Sequence, residues 1–187
     1  MGTGSGAIVL SLLALLPEAT GTAVDLSPAA LAVARENGVR LGVAERVEWL
    51  HSDLCAALPA ERRYDVIVSN PPYIPARDMA SLQPEVRREP VLALAGGDDG
   101  LDVYRRLLRQ LPAFLAADGL VALEVGQGEG RAVASFCRRV GLAETAVCPD
   151  FAGIDRMVFA ARAGTRFAPA VAALRKDAEK DEGQARE

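Results

Sequence analysis

The sequence predicts an open α/β sheet, mostly parallel, with helices on both faces and an antiparallel hairpin at one edge. Helix-like and strand-like segments alternate from residue 7 to about residue 162. The strand-like segments at 144–148 and 156–161 have no helix between them, so they should pair as the edge hairpin. The chain has 187 residues and is 50% hydrophobic, which suits one domain with an ample core. We place that domain at residues 1–163.

Local signals place each element in turn. The apolar helix 7–16 is closed by Pro17. Ser27 is the N-cap of the second helix, Pro28 occupies its first position, and Gly38 ends it. Tyr64–Ser69 is rich in β-branched residues, as in a buried parallel strand. The remaining elements are strands 22–25 and 46–51, the amphipathic helix 102–115, strand 120–125, helix 131–140 and the two hairpin strands.

Composition argues against several classes of protein. The net charge is −4, whereas a protein that binds nucleic acid usually has a broad basic surface. The three cysteines, Cys55, Cys137 and Cys148, show neither metal-ligand spacing nor a disulfide framework, so we expect them in the core of a cytoplasmic protein. The apolar run 7–16 is shorter than the roughly 20 residues that span a bilayer, and it has no basic residue before it. It reads as a buried helix of a soluble protein.

The composition changes near residue 164. The last twelve residues, KDAEKDEGQARE, are charged and poor in apolar side chains. We therefore predict a charged, disordered tail over residues 164–187.

Three glycines occupy alternate positions of Gly2-Thr3-Gly4-Ser5-Gly6, directly before the first helix. Glycines let the backbone pass close to a ligand. Asp25 lies 19 residues after Gly6, at the end of the next strand, where a carboxylate can accept hydrogen bonds from both ribose hydroxyls of an adenosine group. The spacing differs from Gly-x-Gly-x-x-Gly, and no Lys-Ser/Thr pair follows, so it suits a nucleoside without a pyrophosphate. The alternative is a tight strand-to-helix turn.

Asp53 follows the strand 46–51, where its carboxylate could accept a hydrogen bond from an adenine amino group. An N-cap or turn role for Asp53 fits equally well. His51 is the only histidine and ends that strand, and we expect it to be structural because the chemistry described next requires no imidazole.

The motif Asn70-Pro71-Pro72-Tyr73 follows the strand YDVIVS, at the sheet edge where open α/β sheets bind ligands. The nitrogen of a carboxamide or of an adenine amino group is a poor nucleophile, since its lone pair is delocalised. The side-chain oxygen of Asn70 and the backbone carbonyl of Pro71 can accept its two N–H bonds, so that the lone pair turns toward a sulfonium methyl. Positive charge developing on the nitrogen strengthens both bonds. Tyr73 can pack on the planar group, and two prolines stiffen the loop.

Several blocks together carry a resemblance to a known family. They are GTGSGAI at the start, VDLSPAALAVARENG at 24–38, SNPPYIP at 69–75, REPVLALAGGDDGLDVYRRL at 88–107, LEVGQG at 123–128 and FAGIDRMVFAAR at 151–162. With them the sequence resembles the HemK/PrmC family, the protein N5-glutamine methyltransferases that modify class 1 peptide chain release factors. The Asn-Pro-Pro-Tyr motif is shared with adenine-N6 methyltransferases, whereas its extension to Ile74-Pro75 is much narrower.

The resemblance implies a Rossmann-like methyltransferase fold that uses S-adenosyl-L-methionine (SAM). By this resemblance the glycine loop cradles the methionine part of SAM, Asp25 holds the ribose, and Leu54 lines the adenine pocket. The predicted cofactor-binding residues are Gly2, Thr3, Gly4, Ser5, Gly6, Asp25, Asp53, Leu54 and Asn70.

The resemblance also implies a substrate and a partner. Asn70, Pro71, Pro72 and Tyr73 would be the catalytic residues, gripping the glutamine of a Gly-Gly-Gln loop in a class 1 release factor. The segment 89–101 would lie beside them, although a loop that caps the helix at Asp102 fits those residues too. We expect a monomeric enzyme of translation termination that binds neither a membrane, nucleic acid nor metal.

The sequence departs from the family pattern at its beginning. Family members carry a helical N-terminal domain and then a strand before the glycine loop, and here Met1 directly precedes Gly2. We expect that the first, central strand is missing, between the strands that end at Asp25 and Ser69, together with the acidic residue that helps hold the SAM amino group. The chain is predicted to be an N-terminally truncated member of the family.

Three alternatives remain open at this point. An adenine-N6 methyltransferase acting on DNA or RNA would use the same motif. A glutamine methyltransferase acting on a ribosomal protein is closer still, and only the N-terminal region would separate it from the release factor enzymes. A truncated, inactive remnant is the third alternative.

Overall fold

The computed structural model describes residues 1–184, with residues 176, 177 and 179–184 described by their backbone only. It forms two compact units. The first unit contains Met1–Arg62 and Val68–Asn70, and the second contains Arg63–Ile67 and the chain from Pro71 onward. The catalytic domain 1–163 stays a prediction, because the unit boundary follows a different division of the chain.

Two helices and a pair of parallel strands make up the first unit. Its elements are α1 (Ala7–Leu15), β1 (Gly21–Asp25), α2 (Pro28–Arg40) and β2 (Val47–His51). The strands β1 and β2 run parallel, with Asp25 opposite His51. The core is a cluster of the buried apolar side chains Leu10, Leu13, Ala23, Val43 and Val47.

A mixed sheet organises the second unit. Its elements are β3 (Tyr64–Ser69, whose end belongs to the first unit), α3 (Val91–Leu94), α4 (Asp102–Gln110), β4 (Leu115–Glu124), α5 (Gly130–Arg139), β5 (Glu144–Pro149), β6 (Asp155–Ala161) and α6 (Ala168–Gln184). The strand order is β3-β4-β6-β5, and β6 is antiparallel to both β4 and β5. The predicted antiparallel edge hairpin is therefore confirmed.

Helix α2 confirms one prediction and corrects another. The Ser27 side chain accepts a hydrogen bond from the Ala30 N–H at 3.2 Å, and Pro28 opens the helix. Gly38, however, does not end the helix, which continues to Arg40. A Cβ on Gly38 would lie 3.1 Å from the Trp49 ring. The glycine is there because β2 brings a tryptophan against the helix, which is a tertiary cause that the local pattern does not show.

The apolar helix α1 is only partly buried. Leu10 and Leu13 face the core, whereas Leu12 is 39% and Leu15 77% exposed. The prediction of a buried helix is wrong for that second face, because packing covers one side of the helix only. No helix within residues 1–184 is long and apolar enough to cross a membrane. All three cysteines are buried, as predicted, and none forms a disulfide within residues 1–184.

The structure corrects the predicted disordered tail. Helix α6 begins at Ala168, and Val171 is 1% exposed in a cluster with Ala146, Cys148 and Ala161 of the hairpin. The apolar residues of APAVAAL anchor the helix start on β5 and β6, and alanine favours helix. We predicted disorder because the last twelve residues are charged and poor in apolar side chains. Residues 185–187 of that predicted tail lie outside the described residues.

The strands form two separate hydrogen-bonded sheets, β1-β2 and β3-β4-β6-β5. No strand in the described chain joins β1 to β3, as the family pattern led us to expect. Within the first unit, the Thr3 N–H donates to the Val24 carbonyl at 2.9 Å, and the Met1 amine donates to the Val68 carbonyl at 2.9 Å. The glycine loop thus starts between the carboxyl ends of β1 and β3.

Candidate functional site

The glycine loop is a tight, left-handed turn with one open side. Gly2, Gly4 and Gly6 have φ values of +62°, +53° and +85°, which side chains rarely adopt. A Cβ on Gly6 would lie 2.8 Å from Leu10, so this glycine is needed for packing. A Cβ on Gly4 would have no atom of the described chain within 4 Å beyond its immediate neighbours. Space for a ligand therefore exists at Gly4.

Asp25 ties the loop to the end of β1. One carboxylate oxygen accepts the Gly4 N–H at 2.8 Å, and the other accepts the Ser27 N–H at 2.8 Å. A carboxylate has about four lone-pair positions, so two remain for a ligand's hydroxyl groups. On the far side of the loop, the Asn37 amide donates to the Ser5 carbonyl at 2.9 Å. The structure thus brings Asp25 against the loop, and gives it a structural role that sequence reasoning had not anticipated.

Asp53 and Leu54 lie in the turn after β2, beside the end of β1. The Ser52 N–H donates to the Asp25 carbonyl at 3.0 Å, which holds the two strand ends together. Leu54 has a φ of +52° and is the one non-glycine residue with positive φ in the part of the chain that the structure describes. The Ser52 hydroxyl donates to the Leu54 carbonyl at 2.9 Å and stabilises this conformation. Backbone strain of this kind concentrates at functional sites.

His51 contacts the chain just after β1. Its Nε2 lies 3.0 Å from the Leu26 carbonyl, so the ring links the ends of β1 and β2.

Asn70 directly follows β3 and lies next to the glycine loop. The Ser69 hydroxyl donates to the Met1 carbonyl at 2.9 Å, and a Cβ on Gly2 would lie 3.9 Å from the Asn70 carbonyl oxygen. The Asn70 side chain is exposed and makes no hydrogen bond to any described residue. Its amide oxygen is therefore available to an outside donor, as the predicted role requires.

The remaining motif residues belong to the second unit, where glycines surround Tyr73. A Cβ on Gly126 would lie 3.0 Å from the Tyr73 ring, and one on Gly96 would lie 2.8 Å from its carbonyl carbon. A Cβ on Gly100 would lie 2.5 Å from the Tyr73 carbonyl oxygen. Three glycines on two segments of the chain thus approach Tyr73 as closely as only glycine permits. The Pro71 carbonyl accepts no hydrogen bond from the described chain.

The segment around residues 94–97 runs beside the motif. The Ile74 N–H donates to the Leu94 carbonyl, and the Gly96 N–H donates to the Ile74 carbonyl, both at 2.9 Å. The same segment prepares α4, since the Asp102 N–H donates to the Gly96 carbonyl at 3.0 Å. The segment therefore contacts the residue after the motif and also the start of α4, and its place beside the catalytic residues stays a prediction.

Glu129 is the residue near Tyr73 that sequence reasoning missed. Its carboxylate accepts the Gly126 N–H at 3.1 Å and also lies against Gly100. Burial raises the pKa of Glu129 to about 6, against the lowering effect of the Gly126 hydrogen bond. The block LEVGQG had drawn attention to residues 123–128, but nothing in its pattern showed that Glu129 would contact the Tyr73 segment.

Charges near Tyr73 are mostly negative. Burial raises the pKa of the Tyr73 phenol, and the carboxylates of Glu124, Glu129 and Glu89 raise it further. The Arg156 guanidinium acts in the opposite direction. Tyr73 is therefore neutral at physiological pH and can serve as a packing surface and a hydrogen-bond donor.

Comparison with known proteins agrees with the motifs. The family profile described as "Methyltransferase domain" matches residues 1–89. The release factor glutamine methyltransferase of Cereibacter sphaeroides is 55% identical over 161 residues, which are 86% of this chain and 57% of that protein. This chain is a relative of the release factor glutamine methyltransferases. The protein of the same name from Moorella thermoacetica is 50% identical, with 86% of this chain and 57% of that protein covered.

The chain spans less than two thirds of the length of these curated relatives. A solved structure of a methyltransferase from Pyrococcus furiosus covers 85% of this chain and 71% of its own, with 18% identity and a TM-score of 0.59. That likeness confirms the Rossmann-like methyltransferase fold, which the alternation of strands and helices and the family resemblance had predicted.

Proposed function

We propose that this chain carries the catalytic part of a SAM-dependent methyltransferase that modifies the side-chain nitrogen of a glutamine, in the Gly-Gly-Gln loop of a class 1 peptide chain release factor. One observation carries the proposal: at the end of β3 the Asn70 side-chain oxygen and the Pro71 carbonyl both lack a donor from the described chain. Two acceptors on consecutive residues match the two N–H bonds of one planar amide.

The fit of SAM to the first unit supports the cofactor. When bound, SAM supplies an electrophilic methyl group on sulfur. The open side of Gly4 admits a chain of ligand atoms close to the backbone, and the remaining lone pairs of Asp25 can accept ribose hydroxyls. Leu54, held at positive φ after β2, offers an apolar surface where an adenine ring would lie. We propose Gly2 to Gly6, Asp25, Asp53, Leu54 and Asn70 as the cofactor-binding set.

The chemistry asks for orientation rather than for a strong base. An amide nitrogen attacks only when its lone pair is turned out of conjugation, and holding both N–H bonds achieves this. Asn70 and the Pro71 carbonyl hold them, and the prolines keep the two acceptors in place. The bonds strengthen as the nitrogen becomes positive, so they favour the transition state over the bound substrate. The proton is lost to water after the transfer.

Two matched variants test SAM binding. Asp25→Ala removes a carboxylate that accepts two backbone N–H groups, and Asp150→Ala removes another of the same kind, which accepts from Ala152 and Ile154. Calorimetric titration should show saturable SAM binding by the wild-type chain and by Asp150→Ala, and none by Asp25→Ala. Equal binding by all three would place the cofactor elsewhere.

Methyl transfer tests the substrate. The chain is incubated with SAM labelled in its methyl group and with a bacterial release factor, either unchanged or with the glutamine of its Gly-Gly-Gln loop replaced by alanine. We expect label only in the unchanged protein. Label in a ribosomal protein or in DNA instead would identify one of the two alternative substrates, and label in nothing would refute the activity of this chain.

A further inference from the structure

The Glu129 carboxylate closes the turn between β4 and α5. One of its oxygens accepts the Gly126 N–H at 3.1 Å, and the Glu129 N–H donates in return to the Gly126 carbonyl at 3.0 Å. The Glu129 carbonyl accepts the Val133 N–H at 3.0 Å, which is a hydrogen bond of α5. The position of Glu129 is therefore fixed by the start of a regular helix.

The same turn holds Gly126 against the ring of Tyr73. A Cβ on Gly126 would lie 3.0 Å from a ring carbon of Tyr73 and 2.8 Å from a carboxylate oxygen of Glu129. Gly126 therefore lies beside both the ring and the carboxylate. Closely packed groups transmit small displacements to their neighbours, because there is little free volume to absorb them. A shift of the Glu129 side chain should therefore reach the Tyr73 ring.

The second carboxylate oxygen of Glu129 faces Gly100. A Cβ on Gly100 would collide with this oxygen, and it would also lie 2.5 Å from the Tyr73 carbonyl oxygen. Gly100 fits between the carboxylate and the Tyr73 backbone only because it has no side chain. Through Gly126 and Gly100, one carboxylate thus supports both segments that pack against Tyr73, one at its ring and the other at its backbone.

A carboxylate in this place costs free energy that an uncharged side chain would not. Burial raises the pKa of Glu129 to about 6, the Gly126 hydrogen bond lowers it, and the nearby Asp99 carboxylate raises it. Carboxylates with shifted pKa values are common at functional sites. The other charged groups that act on Tyr73 are Glu124, Glu89 and Arg156.

We propose that Glu129 is a positioning residue for Tyr73: by holding Gly126 and Gly100 in place, it keeps the ring in the one orientation in which the ring packs on the target amide. The inference rests on the proposed function and extends it to a residue at the start of α5. Glu129 does not touch the substrate, and it acts through the two glycines. A residue that only capped α5 would change stability without changing Tyr73.

Fluorine NMR tests the effect on Tyr73 without any need for methyl transfer. The full chain is made with 3-fluorotyrosine at its three tyrosines, Tyr64, Tyr73 and Tyr104, and Tyr73→Phe identifies the Tyr73 signal. In the wild type this signal should change position with a midpoint near pH 6 as Glu129 titrates. Glu129→Gln should abolish that change. Glu124→Gln is the matched control, because it removes another carboxylate that acts on Tyr73 and should retain the change.

Glu129→Ala removes the hydrogen-bond acceptor as well as the charge. The turn then loses its Gly126 hydrogen bond, so the Tyr73 signal should move and broaden relative to that in Glu129→Gln, while the Tyr64 signal stays in place. Turnover of the same proteins is measured with labelled SAM and an intact release factor. Glu129→Ala should lower kcat by about tenfold to a hundredfold, and Glu129→Gln by no more than about threefold, since misplacing a contact group by about 1 Å has effects of the larger size. KM for SAM should be unchanged in both variants.

Three outcomes would overturn the inference. One is a wild-type Tyr73 signal that does not change near pH 6, and this result decides even if Glu129→Ala does not fold. Another is an unchanged kcat and an unchanged Tyr73 signal in Glu129→Ala, which would leave Glu129 as a cap of α5 alone. The third is an equal loss of kcat in Glu129→Gln, which would mean that the charge acts and not the hydrogen bond.

The two kinds of measurement also separate this inference from the proposed function. If the wild-type chain binds SAM but methylates no glutamine, the proposed function fails, and the positioning role fails with it even when the Tyr73 signal responds to pH. If the wild-type chain methylates the release factor and Glu129→Ala does so equally well, the positioning role alone is removed.

Discussion

Glycine serves opposite purposes in the two units. In the first unit, Gly4 has a positive φ and open space where a side chain would be. In the second unit, Gly96, Gly100 and Gly126 are packed against Tyr73 so closely that any side chain would collide. The arrangement at Gly4 leaves space for a ligand, whereas the arrangement around Tyr73 leaves no space for a side chain or a ligand. Glycine-rich sequence alone does not separate a ligand-binding loop from a tightly packed one.

The largest effect is expected at Asn70, whose side chain is exposed and makes no hydrogen bond to a described residue. Asn70→Ala should reduce kcat for glutamine methylation by about 10²- to 10³-fold, as removal of one transition-state hydrogen bond does. Stability should change by no more than about 0.5 kcal/mol, because the side chain is exposed. Single-turnover methyl transfer and thermal unfolding measure the two effects. A large loss of stability with unchanged kcat would mean that Asn70 is a structural residue and not a catalytic one.

Gly100→Ala tests the crowded arrangement. Gly100 has a φ of +85°, and the added Cβ would meet the Tyr73 carbonyl oxygen and the Glu129 carboxylate. Overpacking and backbone strain together should lower the free energy of unfolding by about 2–4 kcal/mol. Urea denaturation gives this value. Gly128→Ala is the control, since it shares a positive φ of +84° but has open space around it. Equal effects of the two substitutions would show that backbone strain alone is responsible.

Gly4→Ala tests the open arrangement. It should cost only about 1–2 kcal/mol of stability, from the left-handed backbone. It should also raise the Kd for SAM tenfold or more, because the new methyl group occupies the space proposed for the ligand. Gly42→Ala, with a φ of +67° and equally open surroundings, is the matched control and should leave SAM binding unchanged. Unaltered SAM affinity in Gly4→Ala would show that no ligand passes there.

The smallest expected effect concerns Glu129, whose titration should make the free energy of unfolding depend on pH. Its pKa rises from an ordinary value of 4.5 to about 6 in the fold, so the folded state binds its proton more tightly than the unfolded chain does. The resulting stabilisation is complete below pH 4.5 and is lost as the pH rises through about 6. Because the carboxyl is partly exposed to solvent, we expect less than about 1 kcal/mol.

Glu129→Gln removes this titration while keeping an acceptor for the Gly126 N–H. The stability of the wild type should therefore fall relative to the variant between about pH 4.5 and 7, and the difference should be constant above that range. Denaturant unfolding at a series of pH values gives the curve. A parallel pH dependence of the two proteins would show that Glu129 titrates normally.

Much of the fold could be predicted because its signals are local. Ser27 and Pro28 mark a helix start through hydrogen bonds made within one turn, and the strand Tyr64–Ser69 has the predicted bounds. The prediction that this strand is buried is wrong at Val66, which is 44% exposed. Gly38 misled because its cause, the Trp49 ring, comes from another strand. The tail prediction failed for the same reason, since Val171 is apolar in a charged neighbourhood and is stabilised by the hairpin beneath it.

The candidate site divides in the same way. By itself the sequence determined the order of strands and helices, the glycine loop, Asp25 after the next strand, and two hydrogen-bond acceptors after β3, because each depends on residues close together in the chain. Only the tertiary structure decided that Asp25 supports the loop, that Leu54 has a left-handed backbone, and that Glu129 reaches the Tyr73 segment. Those features depend on which segments pack together, and burial and charge are properties of that packing.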